Sequence, residues 1–319
     1  MSTPELLALS SRISFGSIQT FRNLTVVPLL DPAAPALGWV TLDAALARGI
    51  TEITEISESG SVPQLRLLNR GDAAVFLLDG EELVGAKQNR ILNLSILVPG
   101  GTDLDIPVSC VEQGRWSWRS RGFSGAERVI YSKLRRSNSE AVSASLASSG
   151  DRRGDQGMVW DGIASKSLRM SVHSDTGAAS ALYERHRHDL DEFVAGIDAL
   201  PGQVGAAFLV GGRFAGLDLF AGADLLAALL PKIAKSYALD ALDEASDSEE
   251  PGERLEPSAV DATAIVSAIV GQIPQLAATR HLALGLGEDL RLRGDGLVGG
   301  ALVVGAATAH LAVWAGNYH

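Results

Sequence analysis

Two stretches near the middle of the chain alternate apolar and polar side chains: RILNLSILV, which begins at Arg90, and IPVSCVEQGRW, which begins at Ile106. A period of two is typical of a strand that buries one face. If the two strands pair antiparallel across the loop PGGTDLD, both apolar rows share a side only when even-numbered residues oppose even-numbered residues. We therefore expect these opposing pairs: Val98 with Ile106, Leu94 with Cys110, and Leu92 with Glu112.

The rest of the chain shows both the strand period and the helix period. Strands are predicted at LTVVPLL, ITEITEIS and VPQLRLLN, with Glu52 and Glu55 on a solvated strand face. Three segments have the pattern of hairpins with glycine turns: VFLLDGEELVG, AFLVGGRFAG and LRLRGDGLVGG. Helices are predicted at TLDAALARG, MVWDGIASKSL, ALYERHRHDLDEFVAGIDAL, ADLLAALLPKIAKSYALDALDEA and AVDATAIVSAIVGQI, the fourth kinked or begun afresh near Pro231. The pattern predicts an α+β fold, with a mixed, largely antiparallel sheet built of hairpins and several packed helices.

Two segments have the composition of mobile chain. Residues 119–157 are rich in Ser, Arg and Gly with only a weak helical pattern, and residues 243–258 are acidic. We expect one α+β domain over residues 1–319 in which these two segments are mobile. The alternative is two lobes, 1–118 and 158–319, separated by the Ser-rich segment.

Composition narrows the classes of partner. The 27 Lys and Arg residues against 38 Asp and Glu residues give a formal net charge of −11, which repels a polyanion, so we expect no nucleic acid partner. The one cysteine, Cys110, rules out an internal disulfide and any multi-cysteine metal site and fits a reducing compartment. The N-terminus lacks the pattern of a signal peptide, which makes the cytoplasm the expected location. The apolar stretch Leu297–Gly316 is expected to form two buried strands and a turn rather than a membrane span.

The expected register makes the buried face of the two central strands polar at one end. Glu112 continues the apolar row there, Arg90 and Gln88 lie just beyond Leu92, and the turn carboxylates Glu81 and Glu82 come close. A carboxylate beside a guanidinium near an apolar wall can hold a polar ligand or shift a pKa.

Each of these residues also has a structural interpretation. Cys110 is expected as a small packed hydrophobe more often than as a nucleophile, Glu112 and Arg90 form a structural ion pair equally well, and Trp116 fits a packing role as well as ligand stacking. No phosphate loop, dinucleotide fingerprint, serine elbow or HExxH zinc motif occurs in the sequence, so no metal site is predicted and the cofactor is left unknown.

Three strings carry a resemblance to a known family: DGEELVGAKQNRILN, IPVSCVEQGRW and VGGRFAGLDLFAGADLLAALLPKIAKSYALDAL. They resemble the ARG and rhodanese-phosphatase-superfamily-associated protein domain, a domain of unknown function, over roughly Phe15 to the C-terminus. The resemblance implies an association with ADP-ribosylglycohydrolases and phosphatase-type proteins, and so with ADP-ribose or NAD metabolism. The family motif falls on Glu81, Gly85, Gln88, Asn89, Arg90, Cys110, Glu112, Arg115 and Trp116.

The resulting hypothesis is an enzyme, a hydrolase, that processes a small ribose-phosphate nucleotide of the ADP-ribose or NAD class. The candidate catalytic residues are Glu112 and Glu81, as acid–base carboxylates, and Cys110 in the pocket wall. The candidate ligand-binding residues are Gln88, Asn89, Arg90, Arg115 and Trp116. The alternatives are a non-catalytic module that binds ADP-ribose or a nucleotide, and a structural or interaction protein whose polar cluster is a hydrogen-bond network. The sequence does not specify an oligomeric state.

Overall fold

The computed structural model describes residues 3–57, 63–247 and 259–316. Its helices and strands, in chain order, are α1 Pro4–Ser10, β1 Ser14–Phe15, β2 Gln19–Phe21, β3 Leu24–Leu30, β4 Val40–Thr41, α2 Leu42–Ala47, β5 Thr51–Glu55, β6 Gln64–Asn69, β7 Val75–Leu77, β8 Glu81–Gly85, β9 Arg90–Leu92, β10 Ile96–Val98, β11 Thr102–Cys110, β12 Phe123–Val129, α3 Ser132–Ser149, α4 Gln156–Arg169, α5 Ser180–Arg185, α6 Arg187–Val194, β13 Gln203–Val210, β14 Arg213–Phe220, α7 Ala223–Asp247, α8 Ala259–Gln272, a 3₁₀ turn Ile273–Gln275, β15 Ala277–Leu282, β16 Glu288–Gly294, β17 Leu297–Val304 and β18 Ala307–Ala315. About a third of the chain is helix and a third strand, in largely antiparallel sheets, which confirms the predicted α+β class.

The chain forms two compact units, the first of residues 1–37, 188–283 and 287–319 and the second of residues 38–187 and 284–286. The first unit is built on a nine-stranded antiparallel sheet, in which β13 pairs with β14 and β16 pairs with β17. These are two of the three predicted hairpins, and both form. Gly211 and Gly212 both have positive φ, as the two central residues of a tight type I′ hairpin turn require.

The second unit contains a sheet of six strands in the order β12-β8-β9-β11-β6-β5 and a sheet of three strands, β10-β7-β4. An antiparallel bridge between Thr54 and Gly122 joins the outer strands β5 and β12, so the six-stranded sheet closes on itself. We call it the six-stranded ring. Alternate side chains on its strands point inward and form one apolar core, which includes Ile53, Leu67, Leu83, Leu92, Ile106, Val108 and Phe123.

Two predictions about the strands of this unit are wrong. VFLLDGEELVG is not a hairpin, because β7 pairs with β10 and β4 whereas β8 pairs with β9 and β12. RILNLSILV is not one strand, because β9 ends at Leu92 and the chain crosses to the three-stranded sheet. The crossing is fixed by Asn93, whose buried amide donates to the Arg152 carbonyl at 3.1 Å and accepts from the Ser109 hydroxyl at 2.8 Å.

The register expected between the two central strands is also wrong, although even-numbered residues do oppose even-numbered residues as expected. Leu92 pairs with Val108 and Arg90 pairs with Cys110, four residues from the expected alignment. The first half of β11 pairs with β6 instead of with β10, because β10 has left this sheet to pair with β7. Arg90 therefore lies within the buried row, directly opposite Cys110, and not beyond it.

Several helical and linker regions also differ from the pattern. Residues 119–157 contain all of β12 and α3 and the start of α4. Residues 248–258 of the acidic segment lie outside the described residues. The helix predicted from Ala181 to Leu200 is divided at His186 into α5 and α6, and α7 is one helix with Pro231 inside it. The stretch Leu297–Gly316 forms strands β17 and β18 as predicted. No helix within the described ranges is long and apolar enough to cross a bilayer.

Candidate functional site

The predicted site residues all lie in the second unit, but the ring separates them into two groups. Arg90 and Leu83 oppose each other across β9 and β8, and Leu83 belongs to the interior core. Arg90 therefore points into the ring. Glu82, the residue before Leu83, points to the opposite face because successive side chains of a strand alternate. The inner group contains Arg90 and Cys110, and the outer group contains Asn89, Glu112 and Arg115.

The inner group is fully buried at one end of the ring interior. Arg90 has no exposed surface and neither has Cys110. Glu55, on β5, reaches them from the opposite wall, with its Oε1 4.0 Å from Nη2 of Arg90 and its side chain only 2% exposed. The solvated face expected for Glu52 and Glu55 is thus wrong for Glu55, although Glu52 is exposed.

The polar atoms of the inner group are poorly satisfied. Nη1 of Arg90 donates to Oε1 of Gln88 at 2.7 Å, but within the described residues Nε and Nη2 of Arg90 and both carboxylate oxygens of Glu55 have no hydrogen-bond partner. Burial lowers the pKa of the Arg90 guanidinium, and the neighbouring Cys110 and Glu55 only partly offset that effect. Buried charged groups are normally paired and hydrogen-bonded, so this cluster has unused capacity to bind a polar group.

Cys110 lies against the guanidinium, and its backbone is bonded to α4. Burial raises the pKa of the Cys110 thiol, although hydrogen bonding and the charge of Arg90 act against this. The side-chain amide of Gln156 pairs with the backbone of Cys110 through two hydrogen bonds of 2.8 Å, which fixes α4 against the end of β11. A buried thiol with a raised pKa is a poor nucleophile at neutral pH.

The outer group forms a continuous network of hydrogen bonds and ion pairs. Glu112 accepts from Nε of Arg115 at 2.8 Å, from the backbone N–H of Asn89 at 3.1 Å and from the hydroxyl of Thr176 at 3.1 Å. Asn89 in turn donates from Nδ2 to Glu82 at 3.0 Å and accepts from Arg115 at 3.0 Å. The network ends at Arg128, whose Nε lies 2.5 Å from Oε2 of Glu82.

The charges of this network are satisfied within the protein. Burial alone would raise the pKa of Glu112, but the hydrogen bonds from Arg115 and from the Asn89 N–H outweigh it, and the pKa is lowered. Arg115 also donates to the carbonyls of Ala86 at 2.8 Å and Ser117 at 3.0 Å. Glu112 is therefore ionised at neutral pH and fully engaged, and Arg115 has few donors left for a ligand.

The remaining predicted residues connect or cover these groups. Gln88 lies between them, since its amide donates to the Glu112 carbonyl at 3.1 Å and accepts from Arg90. Trp116 is 49% exposed and covers the inner group, with the Arg90 guanidinium 5.7 Å and the Lys87 ammonium 5.2 Å from its ring centre. The Glu81 carboxylate accepts the Leu78 N–H at 3.1 Å and closes the turn before β8. Glu81 and Glu82 are both buried, not the solvated turn carboxylates expected as their structural interpretation.

A protein-family model, the ARG and Rhodanese-Phosphatase-superfamily-associated Protein domain, matches residues 12–314. The chain belongs to this family. The match spans nearly the whole chain, and so includes strands of both units and every residue of the two polar groups. The family description names no substrate or reaction. No curated protein and no solved structure matches the chain.

In this family member three site residues were missed by the sequence analysis: Glu55, Arg128 and Thr176. A signal for Glu55 was present, because Glu52 and Glu55 are three positions apart in a strand and cannot share one face. Arg128 lies within an irregularity in the pairing of β12 with β8, and Thr176 approaches from a loop, so periodicity gives no signal for either. Within the described part of the chain, no group of three or more His, Cys, Asp or Glu side chains has the arrangement of a metal site.

Proposed function

We propose that this protein binds a small phosphate-bearing ligand of the ADP-ribose and NAD class at the polar end of the six-stranded ring. The observation that carries the proposal is Arg90, a fully buried guanidinium with two donor nitrogens that bind no oxygen among the described residues. The nucleotide class is suggested by the family's association with ADP-ribosylglycohydrolases, which is association and not chemistry.

The chemistry of Arg90 suits a phosphate. A guanidinium offers planar, paired donors that match two phosphate oxygens, and it remains charged even when burial lowers its pKa. Among the described residues, the carboxylate that pairs with Arg90 is that of Glu55, at 4.0 Å, beyond hydrogen-bond distance. A phosphate at this end of the ring would supply acceptors that Glu55 does not.

Trp116 and Gln88 fit the same proposal. Trp116 covers Arg90 and is half exposed, so a ligand reaches the guanidinium by displacing a side chain and not a strand. The displaced indole can then stack on a base or ribose, as tryptophan does in many nucleotide sites. The Gln88 amide already bonds Arg90, and it lies where it can contact the polar edge of a bound ligand.

Binding without turnover is better supported than hydrolysis. In the hydrolytic hypothesis Glu112, Glu81 and Cys110 are the catalytic groups, and the first must exchange a proton near neutral pH. The lowered pKa of Glu112, its three hydrogen bonds and its ion pair with Arg115 work against that role, as the raised pKa of Cys110 works against a nucleophile. Glu81 is engaged in closing a turn.

The test compares two double variants in a thermal-shift titration with ADP-ribose, NAD, AMP and ribose 5-phosphate. Glu55→Gln/Arg90→Gln removes the inner pair without leaving one buried charge alone. Glu52→Gln/Arg70→Gln removes an exposed ion pair with an N–O distance of 2.9 Å and is the matched control. Saturating ligand at a hundredfold excess over Kd should stabilise wild type and control by about 2.7 kcal/mol and the inner variant not at all.

Two results would contradict the proposal. If the ligand stabilises the inner variant and the control equally, it does not bind at Arg90. If none of the four compounds stabilises wild type, the ligand is not a nucleotide of this class. Mass spectrometry of the incubated ligand separates binding from turnover, since we expect ADP-ribose to be recovered unchanged.

A further inference from the structure

Glu55, Arg90 and Cys110 lie at one rim of the six-stranded ring. Strand β5 ends at Glu55, β11 ends at Cys110, and β9, which is antiparallel to β11, begins at Arg90. The bridge between Thr54 and Gly122 places the end of β5 beside the start of β12, at this same rim. The pair of Glu55 and Arg90 therefore lies at the mouth of the ring and not in the middle of its apolar core.

Glu55 brings unused acceptors to this rim. Its side chain is only 2% exposed, and within the described residues neither of its carboxylate oxygens accepts a hydrogen bond. Buried carboxylates are normally hydrogen-bonded, because burying a charge without such partners is costly. A phosphate does not supply the missing donors, since its ionised oxygens are acceptors. Satisfying Glu55 therefore requires a second group on the ligand, one that donates a hydrogen bond.

The gap between Glu55 and Arg90 limits what this second group can be. Oε1 of Glu55 and Nη2 of Arg90 are 4.0 Å apart. One atom at hydrogen-bond distance from both, about 2.8 Å, fits between them, because twice that distance exceeds the gap. This atom has to donate to the carboxylate and accept from the guanidinium. A hydroxyl does both, whereas an ammonium group only donates and an ionised phosphate only accepts.

Charge also favours a neutral hydroxyl. Arg90 and Glu55 carry opposite charges, so the buried pair has no net charge of its own. A cation bound to Glu55 would lie close to the Arg90 guanidinium, which is fully buried and whose pKa is already lowered by burial. A hydroxyl satisfies the carboxylate without adding a charge to the interior.

We infer that Glu55 selects a ligand whose phosphate is accompanied by a ribose hydroxyl, and that this hydroxyl bridges Oε1 of Glu55 and Nη2 of Arg90. The inference rests on the proposed function, because it leaves the phosphate to Nε and the second N–H of Nη2 of Arg90. A site built to bond a hydroxyl leaves its own buried groups unpaired when the hydroxyl is missing, so it rejects the deoxy analogue.

The experiment compares the Kd of AMP with the Kd of 2′,3′-dideoxy-AMP by isothermal titration calorimetry on the full-length protein. The two compounds share the base and the phosphate and differ only in the ribose hydroxyls. We expect wild type to bind dideoxy-AMP about tenfold more weakly than AMP or worse, a difference of ~1.4 kcal/mol.

Two matched variants test whether Glu55 makes this distinction. In Glu55→Gln a neutral amide replaces the charged acceptor, so the preference for AMP should fall to about threefold or less. Glu52→Gln changes an exposed carboxylate of the same strand and should keep the preference of wild type. The preference is a ratio of two Kd values in one protein, so partial unfolding of a variant lowers both affinities equally and leaves the ratio unchanged.

The outcomes separate this inference from the proposed function. If wild type binds AMP and dideoxy-AMP equally, no ribose hydroxyl bridges the gap, and the inference is wrong although phosphate binding at Arg90 stands. If Glu55→Gln keeps the full preference, the hydroxyl binds elsewhere, which overturns the inference in the same way. If wild type does not bind AMP, the inference fails, and titrations with ADP-ribose, NAD and ribose 5-phosphate decide whether the proposed function fails as well.

Discussion

Two groups of charged residues lie within a few positions of each other in the second unit, and they differ in how well their charges are satisfied. On the outer face of the ring, Glu82, Asn89, Glu112, Arg115 and Arg128 form a network in which each charge has hydrogen-bonded partners. In the interior, Arg90 and Glu55 stand 4.0 Å apart with four polar atoms that have no partner in the described residues.

Because the two groups differ in how well their charges are satisfied, we expect neighbouring residues of one motif to have different roles. Asn89 and Arg90 are adjacent in GAKQNR, yet one belongs to the satisfied network and the other to the unsatisfied interior. The satisfied network holds the ends of β8, β9 and β11 together, whereas the unused donors are the ones that our proposal assigns to a ligand. We therefore expect mutations in the outer group to change stability and mutations in the inner group to change binding.

The largest effect is expected from Glu112→Ala. Removing this carboxylate leaves Arg115, the Asn89 N–H and the Thr176 hydroxyl without their common acceptor, and breaking a buried pair costs about 3–5 kcal/mol. Urea unfolding at neutral pH measures the loss. Glu52→Ala, which breaks an exposed pair, should cost less than about 1 kcal/mol. Wild-type stability of Glu112→Ala would show that the outer group is not the structural one.

The next effect is a coupling within the inner pair. Glu55→Gln and Arg90→Gln should each destabilise, because each leaves a buried charge alone, while the double variant should recover much of the loss. We expect a coupling energy of about 1–3 kcal/mol from the four unfolding free energies. If the two single effects are additive, the two side chains do not interact, and Glu55 does not stabilise the charge of Arg90.

Strand phasing predicted that the polar residues of GAKQNR and SCVEQGRW lie close together, but it could not divide them into an inner and an outer group. Period two placed Arg90 and Cys110 on one face, and the family strings gathered the same residues, because both signals are local. The partner strand is not local information. Asn93 diverts the chain into a second sheet through contacts with Ser109 and the Arg152 carbonyl, and that diversion shifts the register by four residues.

The approach of Glu55 to Arg90 depends on closure of the ring, which no periodicity encodes. Glu55 is far from Arg90 along the chain and lies on β5, at one end of the sheet order and three strands from β9. In the described part of the chain, the bridge between Thr54 and Gly122 brings the two outer strands together. The α+β class follows from summed local patterns, whereas the residue that completes the interior cluster follows from a tertiary contact.

A smaller effect is expected from the pH dependence of the stability that Glu112 contributes to the outer group. The pKa of Glu112 is lowered in the folded protein, so its contribution to stability is present above its unfolded pKa, about 4.3, and is lost as pH falls through the folded value. The stability gap between wild type and Glu112→Gln should be constant from neutral pH to about 5 and then narrow. Urea titrations at several pH values measure this gap. If the gap widens as the pH falls, the pKa of Glu112 is raised and not lowered in the folded protein, which would contradict the ion pair with Arg115.

The smallest effect is expected at Cys110. Its thiol is buried and carries a raised pKa, so Cys110→Ala removes a small packed group and costs about 1 kcal/mol, with no loss of ligand stabilisation. The measurement is the thermal shift given by whichever ribose phosphate stabilises wild type, compared between wild type and Cys110→Ala at equal excess over Kd. If the shift disappears while unfolding is nearly unchanged, the thiol contacts the ligand, and the inner group acts through Cys110 as well as through Arg90. If the shift persists, the Arg90 guanidinium and not the Cys110 thiol binds the ligand. The inner group would then differ from the outer network in the unused donors of this one guanidinium.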